Sequence, residues 1–175
     1  METNTKKEIV YPYLPKDCEI LYVPESNLFM SKAKEEAKNS NDQQQPTGAV
    51  ITSNGEIISK KSNKNPLSSS YLIKLHKKYC IRHMLHIPSG QKYWVCPGCA
   101  TNSSHAESRA VIDIQKRNIK DVKNPELYLW GHWWCCEPCW NKMLEIGIHK
   151  VFLVNDSEII FDARNKNNIL GHQFE

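Results

Sequence analysis

His105-Ala106-Glu107 is followed, after 28 intervening residues, by Cys136-Glu137-Pro138-Cys139. Both pieces fall at expected helix starts, so a fold that uses them together must bring two helix amino termini to one point. One imidazole and two thiolates supply three ligands for zinc and leave the fourth tetrahedral position for water, the coordination of a catalytic ion. Water bound there loses its proton near neutral pH, and the free N–H groups of a helix amino terminus stabilise thiolates. Glu107, two residues from His105, is too near to be a comfortable co-ligand but well placed to move protons. A purely structural zinc site, or buried thiols beside a surface His-Ala-Glu, accounts for the cysteine pair and leaves the glutamate unexplained.

The 175 residues, 40% of them hydrophobic, fit one domain with an ordinary core and no need of disulfides. No stretch has the roughly 18 uninterrupted apolar residues of a membrane span, and the amino-terminal residues lack the apolar run of an export signal. A soluble, cytoplasmic protein is therefore expected. Seven cysteines in such a chain read as thiolate ligands or buried thiols, with Cys18 structural. The formal net charge of +4 is spread along the sequence and leaves both nucleotides and nucleic acid open as partners.

Residues 1–25, with Pro12, Pro15 and Pro24, read as an irregular segment. An amphipathic helix is expected over Asn27 to Ser40, capped by Ser26. Gly48 to Thr52 and Glu56 to Ser59 flank Asn54-Gly55, a strong hairpin signal. Residues 64–100 form a polar, Cys- and His-rich insertion with one short helix around Tyr71 to Met84, and its order calls for an outside constraint such as a metal. A helix from Ser103 or Ser104, a strand at Glu126 to Trp130, a helix from Cys136 to Gly147 and a strand at Lys150 to Val154 follow. A last strand is expected at Ser157 to Phe161. The main domain then spans 26–162, with a tail over 163–175. Strands alternating with helices of this length make an α/β sandwich with a mixed sheet.

An H-x-E motif followed by a P-C-x-x-C motif, with the Glu as general acid and base, is the pattern of the zinc deaminases. Between Leu28 and Val154 the chain resembles the cytidine and deoxycytidylate deaminase superfamily, through Thr47-Gly48-Ala49-Val50-Ile51, Asn63, His105-Ala106-Glu107 and the cysteine pair. Cys80-Ile81-Arg82, Ile87-Pro88-Ser89-Gly90 and Cys96 resemble the deoxycytidylate (dCMP) deaminase branch. The resemblance implies a three-layer α/β/α sandwich with a five-stranded mixed sheet, hydrolysis of dCMP to dUMP and ammonia, and a homo-oligomer. It implies that His105, Cys136 and Cys139 bind Zn²⁺, that Glu107 moves protons, that Asn63 contacts the sugar, and that backbone around Ala49 and Ala106 lines the pyrimidine pocket. The chain departs from relatives in three places. Cys135 stands where they have Pro, Trp130 to Trp134 makes a longer loop, and Arg109 replaces an Asn. Arg109 either binds a phosphate or is solvated on the helix surface.

Two further features remain. Cys80-x-x-His83 and Cys96-x-x-Cys99 have the spacing of a second, closed zinc site, for which His76 and His86 are alternative ligands. His132 is a candidate pocket donor, and Trp133 and Trp134 are either base-stacking or core residues, while Trp94 and Trp140 read as core or interface. The alternatives to a mononucleotide deaminase are a deaminase acting on cytosine or adenine in single-stranded nucleic acid and a non-catalytic zinc-stabilised regulatory module.

Overall fold

The computed structural model describes residues 12–42, 44–87 and 91–175. Residues 1–11 of the irregular segment expected over 1–25, together with Pro88-Ser89-Gly90, lie outside them.

The hairpin that Asn54-Gly55 announces joins β2 (Gly48–Ser53) to β3 (Glu56–Ser62). Asn54 and Gly55 both take positive φ, 48° and 79°, the conformation whose twist matches a tight antiparallel pair. β2 also pairs antiparallel with β4 (Glu126–Trp130), which runs parallel to β5 (Lys150–Val154). The fifth strand is β1 (Glu19–Val23), parallel to β5, so the sheet order is β1-β5-β4-β2-β3.

Strand alternation sorts the core into two layers. Ala49, Ile51, Leu127, Leu129, Val151 and Leu153 face α4 (Ala106–Lys116) and α5 (Glu137–Leu144), where Ala110, Ile114, Trp140 and Met143 meet them. Val50, Tyr128, Trp130 and Val154 face the other way, toward α1 (Leu28–Ala37) and Phe161. Helices on both faces of a five-stranded mixed sheet make the expected α/β/α sandwich. Met30, Ala33 and Ala37 form the inner stripe of α1, and its backbone lies directly on β2: a Cβ on Gly48 would sit 2.0 Å from the Ala33 carbonyl oxygen.

Several boundaries differ from expectation. Asn27, not Ser26, caps α1, its Oδ1 accepting from the Phe29 and Met30 amides. Glu19–Val23 is a strand rather than irregular chain; it lies at the sheet edge with Leu21 and Tyr22 exposed, so it lacks the alternation of a half-buried strand. Ser157 to Phe161 is not a strand. Asp156 takes a left-handed turn (φ 59°) into the single-turn helix α6 (Ser157–Ile160), which seats Phe161 edge-on against Trp130 at 5.1 Å. A short apolar run such as Ile159-Ile160-Phe161 does not distinguish strand from helix by periodicity. The insertion carries two helices, α2 (Ser70–Lys78) and α3 (Ile81–Met84), separated by a break at Tyr79. The tail is packed: Phe174 stacks on Trp130 at 5.2 Å and Gln173 is buried against Pro46. Among the described residues no helix is long and apolar enough to cross a membrane.

Candidate active site

Register decides where the site lies. Gly48 pairs with Ser62 on one side and Trp130 on the other, so the start of β2 and the ends of β3 and β4 share one rim of the sheet. The chain leaving β3 returns to that rim at α4, and the chain leaving β4 enters α5 there. His105 is the residue before α4 (φ −68°, ψ 148°) and Cys136 the residue before α5 (φ −73°, ψ 156°). Both have the extended backbone of an N-cap while their carbonyls already accept helical bonds, from the Arg109 and Trp140 amides. Neither side chain caps its own helix, because both turn toward each other.

His105 Nδ1 lies 3.5 Å from Cys136 Sγ and 3.4 Å from Cys139 Sγ. Zinc bonds of about 2.3 Å to sulfur and 2.0–2.1 Å to nitrogen, at tetrahedral angles, put such ligand atoms about 3.6 Å apart. The soft, one-nitrogen, two-sulfur donor set therefore fits zinc in both chemistry and spacing. Cys139 is fully buried with Ser108 Oγ 3.4 Å from its sulfur. Hydrogen bonding from Cys139, against the cost of burial, and the His105 ring bring the Cys136 thiol down to about 5, so this pair carries thiolate at neutral pH.

These residues open onto a cleft of about 210 Å³, whose wall also includes Glu107, Ala106, Asn63, His132 and Trp134. Glu107 is buried, and burial pushes its carboxyl pKa up, the neighbouring Cys136 adding to the effect and His105 opposing it. A carboxyl so raised takes up and releases a proton closer to neutrality than an exposed one. Its partner is the Cys135 thiol, fully buried and hydrogen-bonded to the Glu107 carboxyl.

His132 Nδ1 accepts from the Trp133 and Trp134 amides, at 3.1 and 3.3 Å. Two N–H donors on one ring nitrogen fix the neutral Nε2–H tautomer, and burial, with His105 nearby, holds the pKa down to about 3. The loop reaches this position through Gly131 (φ +97°), where a Cβ would meet the Pro46 carbonyl oxygen at 2.2 Å.

The remaining expectations divide. Asn63 lines the cleft, but its amide also ties down the loop before β2: Oδ1 accepts from Ser40 Oγ at 2.6 Å and the Thr47 amide at 2.9 Å, and Nδ2 donates to the Gln45 carbonyl at 3.1 Å. Ala49 is buried in β2 away from the cleft, and Thr47 lines it instead. Arg109 neither binds at the cleft nor lies free on the helix; it donates to the Ser62 carbonyl and fastens α4 to the end of β3. Trp134 is buried against Cys136 and Cys139, Trp140 is buried with Nε1 on the Tyr13 carbonyl, and Trp94 is 82% exposed. Sequence reasoning missed Gln45, Arg82 and Tyr93 in the cleft wall. A Cys-x-Arg pattern flags Arg82; nothing local flags Tyr93.

Residues 24–168 match the family described as the cytidine and deoxycytidylate deaminase zinc-binding region. No curated protein matches the chain. Among solved structures the chain is similar to the dCMP deaminase of cyanophage S-TIM5 in apo form, at 21% identity over 74% of this chain and 82% of that one, with a TM-score of 0.44. It is also similar to the guanine deaminase of Bacillus subtilis, at 18% identity over 78% of this chain and 71% of that one, TM-score 0.42. The diaminohydroxyphosphoribosylaminopyrimidine deaminase/5-amino-6-(5-phosphoribosylamino)uracil reductase of Thermotoga maritima shares 20% identity over 71% of this chain and 28% of that one, TM-score 0.41. With most of its length inside the family match, and with a zinc-competent triangle beside a buried glutamate, the chain belongs to the zinc-dependent cytidine and deoxycytidylate deaminase family.

Proposed function

We propose that the protein hydrolyses the exocyclic amino group of a free cytosine mononucleotide, most simply dCMP, to give dUMP and ammonia. The observation that carries this reading is the buried Glu107 sharing one cleft with His105, Cys136 and Cys139. Zinc, when bound by those three ligands, supplies the Lewis acid beside which water ionises near neutral pH. Glu107 would take one proton from the attacking water and deliver it to the ring nitrogen, then take the second from the hydroxyl so added to the ring carbon and deliver it to the amino group as ammonia leaves, so that one carboxyl serves as base and acid in each transfer. His132 offers its Nε2–H to the substrate without changing charge. Trp134 and the buried cluster behind it exclude bulk water from the same side.

The mononucleotide is favoured by the charge of the far wall. Lys77 and Arg82 stand there, with Asp42 and the buried Glu107 as the acidic groups lining the cleft, and two fixed cations in one wall suit a phosphate. The cleft volume falls below the ~300–1,000 Å³ of pockets for drug-sized ligands, which fits one small molecule better than a strand. Trp134 lines the cleft but packs against Cys136 and Cys139 with 8% of its surface exposed, leaving little open face for stacking. Ammonia release should be measured with cytidine, deoxycytidine, CMP, dCMP, dCTP, guanine and single-stranded DNA and RNA. dCMP should give the highest kcat/KM; turnover of dCMP no better than of cytidine would overturn the mononucleotide assignment.

A further inference from the structure

We propose that His76, Cys80, Cys96 and Cys99 bind a second zinc ion in a closed, four-ligand site that holds α2, α3 and the Cys96–Cys99 turn against the catalytic cleft. The sequence spacing names His83 for this group, with His76 and His86 as alternatives, and it is His76 that the structure brings to the three sulfurs. The break at Tyr79 separates the two helices, and the ring that arrives beside the three sulfurs is that of His76, at the last turn of α2. His83 remains on the cleft wall.

Three independent features support the site. The first is spacing. Cys80 Sγ is 3.5 Å from Cys99 Sγ and 4.0 Å from Cys96 Sγ, and Cys99 Sγ is 3.5 Å from His76 Nε2; ligands around a tetrahedral zinc stand about 3.6–3.8 Å apart. Three free thiols and an imidazole surround one point, whereas a disulfide would use two sulfurs and leave the third. The second is a close approach that only glycine allows. A Cβ on Gly98 would lie 2.3 Å from the His76 ring, so the turn between Cys96 and Cys99, closed by the Cys99 amide on the Cys96 carbonyl at 3.0 Å, is shaped to let that ring in. The third is support for sulfur charge: the Gly98 and Ile81 amides donate to Cys96, and Arg82 Nη1 lies 3.7 Å from Cys99 Sγ. Backbone and guanidinium donors around ligands are the outer shell that metal sites use to fix their thiolates.

Four protein ligands leave no coordination position for water, so this ion is structural. Its effect reaches the chemistry through contacts. The Arg82 guanidinium sits 4.2 Å from the Tyr93 ring centroid, and Tyr93 packs edge-on against His105 at 5.4 Å. Loss of the ion should therefore loosen the substrate wall and raise KM more than it lowers kcat.

The test is the metal content of the purified full-length protein. The wild type should hold two zinc ions per chain. His76→Ala and Cys96→Ser should each hold one, His83→Ala should keep two, and Cys136→Ser should lose the other ion. Because a ligand variant can fail to fold, the same count should be made on the wild type by titrating the zinc-free protein with cobalt and following the thiolate-to-cobalt absorption. Saturation at two equivalents is expected. Saturation at one, or a His76→Ala protein that retains two zinc ions, would overturn the proposal. Neither measurement involves a nucleotide, so the outcome is independent of the substrate assignment.

Discussion

The molecule contains two cysteine–histidine clusters on the walls of one cleft, built in opposite ways. His105, Cys136 and Cys139 are carried by two helices whose inner faces, through Ala110, Ile114, Trp140 and Met143, are sealed into the main core. Their meeting point is a consequence of sheet register. His76, Cys80, Cys96 and Cys99 come from two short helices and a turn in which, of α2 and α3, Ile73 and Arg82 are the buried residues. Among the described residues, the apolar core clusters include none from α2 or α3. The first cluster is thus held in place by the fold, and the second, with the zinc proposed above, would hold its own segment in place. On the readings proposed above, the first would keep three ligands and a neighbouring carboxyl for chemistry, while the second would spend all four on structure.

This contrast can be broken most forcefully at Glu107. Glu107→Gln removes the proton carrier while keeping shape, and kcat should fall by about 10²–10⁴-fold, the contribution of general acid–base catalysis; zinc content measured on the same sample should not change. A variant that keeps its turnover would move the chemistry elsewhere. Two glycines then compare the scaffolds directly. Gly48→Ala drives a Cβ into the backbone of α1 and should cost about 1–3 kcal/mol, lowering the Tm of the whole domain by about 2–4 °C per kcal/mol. Gly98→Ala drives one into the His76 ring instead. It should reduce the zinc count with little change in the main calorimetric transition, and a fall in domain Tm as large as that of Gly48→Ala would erase the distinction between the two regions. The smallest effect is expected at Cys135→Ala. A thiol is a weak donor, so losing its bond to Glu107 should lower kcat by about tenfold or less, with zinc retained.

Legibility in the sequence follows the same division. The β2–β3 turn is readable because Asn54-Gly55 supplies positive φ at both central positions. β4 and β5 are readable because each apolar run follows a segment of helical period, the alternation of a layered α/β fold. The approach of His105 to the cysteine pair follows from motif spacing and two helix starts. The edge strand β1 is not legible, since its exposed Leu21 and Tyr22 obscure any alternation, and α6 is not, since four residues carry no period. Thr47, just ahead of β2, lines the cleft where Ala49 does not; residues two apart share a face, so what separates them is distance from the rim of the sheet, which local pattern leaves open. The choice of His76 over His83 depends on a backbone break at Tyr79 and on a missing side chain at Gly98. Both are three-dimensional facts that a Cys-x-x-His spacing does not contain.

The alignment of Ser62, Gly48 and Trp130 in one row across the sheet has a consequence for how such a protein changes. Everything that follows β3 and everything that follows β4 must enter the fold at the same rim, so residues added to either connection accumulate around the cleft and leave the strands undisturbed. A sheet with this register separates the part that must stay constant, two helix starts facing each other, from the part free to vary in length. The segment bearing α2 and α3 and the tryptophan-rich turn after β4 are two such connections, arriving from different parts of the chain to line one opening. Swapping either for a loop of another length should alter which molecule enters while the reaction inside stays the same.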